Sequence, residues 1–288
     1  MDLQNNPLSK HFRQPSIYIT LPSGGKYSPQ GTIEFDSGEE LAVYPMTARD
    51  DMTMATPDAL MNGQATIDVI KSCVPGIKDP WQLPMMDLDT VMIAIRIASQ
   101  GEILDMNVNV PTVNEKMSFS TDLRIALDSI ERKPFNEYVQ LEPQLVVKVR
   151  PTNYRQLTNL SLKTFEEQRM IAQLSQKDDM TPQQKSDHYA RIFTNMTDLT
   201  IENMLNAIVS VNSEGTEVTD PKLIKEFVYN LDSKQAKKIR SHIEEQNNIG
   251  KIKPFKVMPS KELISQGAPE SFEVPVALDN SNFFVSQF

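Results

Sequence analysis

Cysteine is almost absent from this chain of 288 residues: Cys73 is the only one, so no internal disulfide can form. The lack of a disulfide framework excludes the cysteine-rich class of small secreted domains and is typical of proteins from a reducing compartment. Glycine is also sparse, with 10 residues against 19 prolines. This balance predicts many ordered, turn-rich connections.

Positive charge is in deficit, because 29 Lys and Arg residues face 38 Asp and Glu residues and the formal net charge is −9. Proteins that bind nucleic acid usually neutralise the phosphate backbone with an excess of Lys and Arg, so we expect no nucleic-acid partner. The sequence has no long apolar run either. Its most apolar stretch, residues 88–98, is interrupted by Asp89 and Arg96 and is shorter than the roughly 20 residues of a membrane-spanning helix.

Signals of secretion are missing from the N-terminus, which has no basic region followed by an apolar run. We therefore expect a soluble protein without a membrane partner. Hydrophobic residues make up 39% of the chain and charged residues 23%, close to ordinary globular usage, which excludes global disorder. The length is sufficient for one or two domains with a sizeable core.

The first half of the chain carries strand patterns. Residues 1–16 are polar and lack periodicity, which predicts a flexible arm. Apolar residues alternate over 17–21, and the segments 31–35 and 40–44, separated by an Asp-Ser-Gly turn, predict a hairpin. The period of two returns between residues 105 and 151, where further strands are expected.

Helix signals follow. A first helix is predicted to begin at Thr56, where a capping hydroxyl precedes proline and aspartate. A second helix is predicted from an N-cap at Asp87 to Gly101, and because it is apolar on most sides we expect it to be the most buried element. In the second half, a capping box with proline at its first position, residues 181–184, predicts a long helix.

These patterns predict an α+β fold: a strand-containing N-terminal half with two buried helices, then a helical C-terminal segment and a short extended tail. The expected divisions are a flexible arm at 1–16, an α+β domain at 17–151, a helical segment at 152–250 and an extended tail at 251–288.

Candidates for catalysis are few. His11, His188 and His242 stand in no recognisable motif, and we interpret them as solvated or capping side chains. Cys73, beside valine and proline, is interpreted as a small buried hydrophobe rather than a reactive thiolate. The sequence contains no G-x-S-x-G, Gly-rich phosphate loop or H-E-x-x-H motif. We therefore expect no enzyme activity, no catalytic residues and no cofactor.

Two charged clusters leave alternatives open. Asp79, Asp87 and Asp89 suggest a magnesium site, but we favour helix capping and complementation of the helix dipole. The basic cluster is interpreted as a solvated helix face, with an acidic partner as the alternative; it comprises Lys234, Lys237, Lys238, Arg240, Lys251 and Lys253.

A block in the first half has motifs that point to one family. V-Y-P-M-T-A-R-D at residues 43–50 is followed by P-D-A-L-x-N-G at 57–63 and C-V-P-G-I-K-D-P-W at 73–81, and the block closes with I-A-I-R-I-A at 93–98. It resembles the baseplate hub and hub-assembly proteins of T-even-like contractile-tailed bacteriophages. The resemblance covers residues 17–130, whereas the helical second half is less distinctive.

The resemblance implies a non-enzymatic hub subunit or hub assembly factor that acts through contacts with other phage tail or baseplate proteins. Such a protein lies in the baseplate of the virion tail or in the cytoplasm of the infected host. The alternative function is a tail assembly chaperone that binds the tape measure protein and is absent from the mature virion.

Zinc is the one metal that the resemblance raises, because it implies two C-P-x-C pairs of the zinc-ribbon type. The matching segments here, residues 110–113 and 258–261, keep the proline and lack the cysteines. Since Cys73 stands alone, a four-thiolate site cannot form, and we expect no metal ligands.

Four apolar residues are candidates for contact with a partner. Trp81, the only tryptophan, either fills the core or is presented to another protein by its proline-rich corner. Phe193, Met196 and Leu205 follow an apolar helical stripe that must pack within the protein or on another protein. The 15 methionines are interpreted as core fillers, with an adaptable binding surface as the alternative.

Overall fold

The computed structural model describes residues 7–56, 62–113, 115–175 and 181–275, and it confirms an α+β fold. The described helices are α1 (Ala48–Met54), α2 (Gln64–Cys73), α3 (Met85–Gln100), α4 (Leu123–Asp128), α5 (Tyr154–Ser175), α6 (Pro182–Ala207), α7 (Pro221–Tyr229), α8 (Ser233–Asn247) and α9 (Lys261–Ser265). The described strands are β1 (Ile17–Thr20), β2 (Glu40–Val43), β3 (Ile103–Asn109), β4 (Lys116–Asp122), β5 (Tyr138–Glu142), β6 (Leu145–Val149), β7 (Ile208–Ser213), β8 (Thr216–Val218), β9 (Phe255–Val257) and β10 (Phe272–Val274).

The described strands pair in antiparallel fashion in separate small sheets. β1 pairs with β2, β3 with β4 and β9 with β10, whereas β5, β6, β7 and β8 form a four-stranded sheet in that order. The hairpin predicted within residues 31–44 is wrong, because β2 pairs with β1, with Ile17 opposite Val43. In the predicted partner segment, Ile33 forms an isolated bridge to Ile77 instead.

The first hydrophobic core surrounds α3, the helix predicted to be most buried. Val91, Ile93 and Ile95 are fully buried, and α2 contributes Val69 and Ile70 to the same core. Strands β1 and β2 pack against α3 as well. Elements pack on several sides of α3 and exclude the helix from water. This burial explains why α3 carries apolar residues on most of its sides.

The start of α3 differs from the prediction. Asp87 is not the N-cap, because the helix begins at Met85 and Asp87 lies fully buried in its first turn. The Asp87 carboxylate accepts hydrogen bonds from the Ser23 amide at 2.8 Å and from the Ser23 hydroxyl at 2.5 Å. It therefore holds the loop that follows β1 against α3.

The chain that follows α8 is held two residues farther along α3. Asp89 Oδ2 accepts a hydrogen bond from the Ile252 amide at 2.9 Å. Gly250 lies so close to α3 that a β-carbon at this position would be 2.0 Å from the Met86 carbonyl oxygen. Asp87 and Asp89 thus connect two distant loops to α3 through hydrogen bonds.

Helices α1 and α2 lie upstream of α3. The sequence prediction omits α1, although Thr47 and Asp50 form its reciprocal capping box. The helix expected to begin at Thr56 falls partly on residues 57–61, which lie outside the described residues. The described helix α2 begins at Gln64 and ends at Cys73. Val74 and Pro75 follow, and the end of the helix was expected at this proline.

The described part of the N-terminal arm is attached to the first core. Arg13 donates hydrogen bonds to the carbonyl oxygens of Pro45 at 2.7 Å and Ser72 at 2.8 Å. Its guanidinium also lies 3.6 Å from the Asp50 carboxylate. Arg13, which lies within the flexible arm predicted for residues 1–16, is therefore held by polar contacts, and a lack of apolar periodicity does not report such an anchor.

The second hydrophobic core lies between the four-stranded sheet and helices α6, α7 and α8. Val147 of β6 and Ile239 of α8 are fully buried there. The helical segment predicted at 152–250 is interrupted by the hairpin of β7 and β8. Because β7 pairs with β6, this sheet joins residues on both sides of the boundary predicted at residue 151.

The tail predicted to be extended at 251–288 contains β9, α9 and β10 in its described part. Residues 276–288 lie outside the described residues. The ring of Phe255 in β9 lies 6.1 Å from that of Phe119 in β4, and the Thr112 hydroxyl donates a hydrogen bond to the Gly267 carbonyl oxygen at 2.7 Å. The tail hairpin therefore packs on the β3–β4 hairpin.

Burial raises the pKa of Asp87 to about 6, although the hydrogen bonds from Ser23 favour the ionised form. Because this folded-state pKa lies above the usual 3.8, the protonated carboxyl stabilises the fold fully below about pH 4, and this contribution is lost as the pH rises through about 6. The variant Asp87→Asn retains the hydrogen-bonding shape without the charge. We expect its free energy of unfolding, relative to the wild type, to rise by up to about 3 kcal/mol between about pH 4 and about pH 7.5.

Urea denaturation at a series of pH values measures this difference. The exposed Asp128 provides the matched control variant Asp128→Asn. A difference between Asp87→Asn and the wild type that stays constant with pH would contradict the assignment.

Gly250 offers a second test of the contact between α3 and the chain after α8. Its φ of +79° is costly for any residue with a β-carbon, and that carbon would also collide with backbone at Met86. We expect Gly250→Ala to lower the free energy of unfolding by about 3 kcal/mol or more. Gly31→Ala, with a φ of +82° but open space around it, is expected to cost only about 1 kcal/mol. Equal costs in chemical denaturation would show that the contact is unimportant.

Candidate interaction surface

The surface that carries most of the predicted partner residues is built on a helical hairpin. Helices α5 and α6 run antiparallel and are linked by an ion pair between Lys163 and Glu202 at 2.8 Å. Farther along, the Asn195 amide donates a hydrogen bond to Glu167 Oε1 at 2.8 Å. With 22 and 26 residues, the helices are about 33 and 39 Å long.

Local sequence explains both helix starts. Thr181 accepts a hydrogen bond from the Gln184 amide while the Gln184 side chain accepts one from the Thr181 amide, so the predicted capping box is confirmed. At the start of α5, Asn153 and Gln156 exchange the same pair of hydrogen bonds at 2.9 and 3.0 Å. These caps satisfy backbone groups that would otherwise lack partners at helix ends.

Buried and half-buried residues of the two helices, taken together, recur at intervals of three and four, as in a coiled coil. Leu174 of α5 and Ile192 of α6 are buried, yet neither belongs to either hydrophobic core. The part of the hairpin beyond Glu167 and before Asn195 is thus stabilised by contacts between its own helices. Exposed apolar side chains lie here, including Met170 and Phe193.

A groove of about 300 Å³ lies where α8 meets the base of this hairpin. Leu160 of α5, Met196 and Leu199 of α6, and Ile243 of α8 give the groove an apolar lining. Polar groups are placed among them, including the Arg240 guanidinium. Such a mixture of apolar and polar groups is suited to a side chain from another protein.

The structure brings two of the predicted partner residues together. Phe193 is 60% exposed, and Met196, one helical turn later, is half-buried and lines the groove. Leu205 lies near the end of α6, half-buried against the second core. The helical stripe therefore changes environment along α6, from an exposed aromatic ring to core packing.

Trp81 lies elsewhere, at the N-terminal end of α5. Its half-buried ring stacks on Tyr154, with centroids 5.6 Å apart and an interplanar angle of 24°. The Arg155 guanidinium carbon lies 5.1 Å from the centroid of the Trp81 ring. The Tyr154 amide also donates a hydrogen bond to the Leu83 carbonyl oxygen at 2.9 Å. The proline-rich corner thus fixes the start of α5.

The cysteine and two of the histidines are described by their burial and their hydrogen-bond partners. Cys73 is fully buried, and burial raises its pKa to about 12, so the thiol stays protonated. His188 Nδ1 lies 3.4 Å from an Arg191 nitrogen. His242 Nε2 lies 2.8 Å from the Asn136 carbonyl oxygen, to which it donates. Over the described residues, the three histidines are not assembled with a nucleophile and an orienting carboxylate into a triad.

The residues present do not fit a zinc ribbon. The segments 110–113 and 258–261 lie on the two hairpins that pack together through Phe119 and Phe255. No group of three His, Cys, Asp or Glu side chains suitable for a metal ion occurs in the part of the chain that the structure describes. Packing and the hydrogen bond of Thr112 connect the hairpins instead.

A membrane-spanning segment is also not found: none of the helices within residues 7–56, 62–113, 115–175 and 181–275 is both long and apolar enough to cross a bilayer.

Sequence reasoning missed two features of this surface. The polar pair of Glu167 and Asn195 lies at the contact between α5 and α6. The sequence signal for this pair is that both positions continue the three- and four-residue spacing of the residues that face the other helix. The stacking of Arg155 on Trp81 has no such signal, because these residues are far apart in the sequence.

The described surface thus combines an exposed aromatic ring at Phe193 with a groove between α5, α6 and α8. Comparison of the sequence with protein families supports the baseplate part of the resemblance: the family described as T4 bacteriophage base plate protein matches residues 15–258. The chain belongs to this family, and a structural role in a phage baseplate follows from that membership. A search of curated proteins and a search of solved structures each gave no significant match.

Replacing Trp81 tests whether it serves the core or a partner. Trp81→Ala removes a half-buried ring and its stacking on Tyr154, so we expect the free energy of unfolding to fall by about 2 kcal/mol. Trp81→Phe, which keeps an aromatic ring, is the matched variant and is expected to recover about half of this loss. Unchanged stability of Trp81→Ala in chemical denaturation would instead favour a role in binding.

Proposed function

We propose that this chain is a non-enzymatic subunit of the baseplate hub, or a factor that assembles the hub, and that it acts through protein–protein contacts. Its partners are other tail or baseplate proteins. Membership of the baseplate family supports the general role. The observation that supports a contact surface is the exposed ring of Phe193 next to the groove between α5, α6 and α8.

The position of Phe193 favours binding over packing within the chain. A phenylalanine ring that is 60% exposed gains little from burial in the free protein and gains more when a partner covers it. Met196 lies on the same side of the helix, three residues later, and its flexible side chain adapts to an incoming surface. Aromatic residues beside a partly formed groove are typical anchors of protein interfaces.

The groove itself supports the docking of a side chain. Met196 and Ile243 supply apolar contact, while Arg240 supplies hydrogen-bond donors. Because the groove lies between three helices that belong to different parts of the chain, its shape depends on the complete fold. A partner that fills it would therefore recognise the folded protein and not the separated helices.

The experiment combines complementation and mass spectrometry of purified virions. Phage lacking this protein are supplied with the wild type or with Phe193→Ser/Met196→Ser. We expect the wild type to restore baseplates and the variant to reduce their yield by about tenfold, while its free energy of unfolding falls by less than about 2 kcal/mol. Ile125→Ser/Met258→Ser, which changes two other exposed apolar residues, is the matched control and should assemble normally.

Mass spectrometry separates the two roles. A hub subunit stays in the purified virion, whereas an assembly factor leaves it. Normal assembly by the Phe193 variant would contradict the proposed surface, and unfolding of the variant would show that these residues serve the core. Absence from virions together with capture of the tape measure protein would instead indicate a tail assembly chaperone.

A further inference from the structure

Helices α7 and α8 carry a positive charge that contrasts with the rest of the chain. Residues 221–240 contain six Lys and Arg residues and two acidic residues, so this segment has a net charge of +4. Because the whole chain has a net charge of −9, the remaining residues together carry −13. The positive charge is therefore concentrated on α7 and the first half of α8, whereas the second half of α8 carries Glu244 and Glu245.

These cations lack carboxylate partners within the described chain. No described carboxylate lies within 4.0 Å of any of the six, whereas Lys26, Lys163 and Lys253 elsewhere each form an ion pair. Of the two acids in the segment, Asp232 is already used, because it caps α8 and accepts a hydrogen bond from the Gln235 amide. The positive charge is thus available to another molecule.

The exposed cations follow one side of each helix. On α7, Lys222, Lys225 and Tyr229 are spaced by three and four residues, and on α8 Lys237 and Lys238 follow Lys234 by three and four residues. All of these side chains are exposed. We call Lys222, Lys225, Lys234, Lys237 and Lys238 the cationic stripe. Arg240 is not included, because it lines the groove.

The opposite side of α8 fixes the cationic stripe in place. Ile239 and Ile243 are buried in the second core. The side-chain amide of Gln235 donates a hydrogen bond to Glu142 at 2.9 Å. The side-chain oxygen of Gln246 accepts one from the backbone amide of Asn136 at 2.7 Å. Because the helix backbone is already held, little ordering is required when a ligand binds to its exposed lysines.

Apolar surface accompanies the charge. Tyr229 is 52% exposed and Leu223 is 53% exposed, and Lys225 Nζ lies 5.7 Å from the centroid of the Tyr229 ring. Tyr229 precedes Lys234 by five residues, so their Cα atoms are at most about 18 Å apart. A single extended segment of about six residues is long enough to contact both.

We propose that the cationic stripe binds an acidic segment of another protein, with carboxylates against the lysines and an apolar side chain against Tyr229. Charge complementarity selects such a segment, because the stripe is positive and its lysines have no carboxylate partners in the described chain. This contact uses a different surface from the Phe193 region and does not depend on the proposed hub function.

A nucleic acid fits the same observations less well. A nucleic-acid strand carries one negative charge about every 3.4 Å and continues beyond the stripe, where it meets a chain with a surplus of acidic residues. An acidic protein segment is limited in length and ends within the stripe. Apolar contact with Tyr229 also favours a peptide that carries both carboxylates and an aliphatic side chain.

The test uses fluorescence anisotropy with the purified full chain and a labelled peptide of Glu-Glu-Leu repeats. A peptide of Gln-Gln-Leu repeats and a short oligothymidylate serve as comparison probes. We expect Lys234→Glu/Lys237→Glu/Lys238→Glu to weaken binding of the acidic peptide by at least about tenfold. The control Lys116→Glu/Lys256→Glu/Lys261→Glu makes the same change of net charge at exposed lysines elsewhere and is expected to bind within about twofold of the wild type.

Circular dichroism shows whether each variant is folded, and Lys234→Gln/Lys237→Gln/Lys238→Gln replaces the reversed-charge variant if that one unfolds. Equal weakening in the stripe and control variants would overturn the proposal, because overall charge would then explain binding. Tighter binding of the oligothymidylate than of the acidic peptide would overturn it in favour of nucleic acid. Self-association of the wild type that is lost in the stripe variant would overturn it in favour of a second copy of this chain.

Discussion

The placement of two distant loops depends on the N-terminal part of α3. Asp87 binds Ser23 after β1, and Asp89 binds Ile252 after α8. Buried carboxylates are costly unless hydrogen bonds satisfy them, and here the partners are backbone amides from loops that periodicity cannot order. Gly250 permits the close approach to Met86 that completes this arrangement. The placement of these loops on the first core therefore follows from the carboxylates of Asp87 and Asp89 and from the lack of a β-carbon at Gly250.

A different constraint places the helical hairpin. Helices α5 and α6 lie in the sequence between β6 and β7, which are neighbours in one sheet, with Val149 opposite Ile208. Both ends of the hairpin are therefore fixed by strand pairing, and its remaining length extends from the second core as a connection between adjacent strands. Contacts between α5 and α6 stabilise the far part, where the seam contains Glu167 and Asn195 as well as apolar side chains. This explains why Phe193 is exposed while Leu205, on the same helix, packs against the core.

The sequence predicts elements whose signals are local. The capping box and the helical spacing of the apolar residues identify α6. The apolar residues on most sides of α3 indicate that this helix is buried. The hairpin of β7 and β8 is missed because Ile208 and Val211 extend the apolar pattern of α6, and only pairing with β6 makes them strand residues. Likewise, the hydrogen bonds of Arg13 and the exposure of Phe193 depend on contacts between segments that are far apart in the sequence. Family motifs could predict the baseplate class and the apolar stripe could nominate Phe193 and Met196, while the groove beside them required the structure.

The length of the hairpin has a mechanical consequence. A helix about 39 Å long that is anchored at one end acts as a lever, so a rotation of about 10° at its base displaces its tip by about 7 Å. A neighbouring protein that contacts the base therefore meets a nearly fixed surface, whereas one that contacts the tip must itself restrain the angle. Within a rigid particle, the same lever would convert a small change at the sheet into a displacement large enough to gain or lose a side-chain contact.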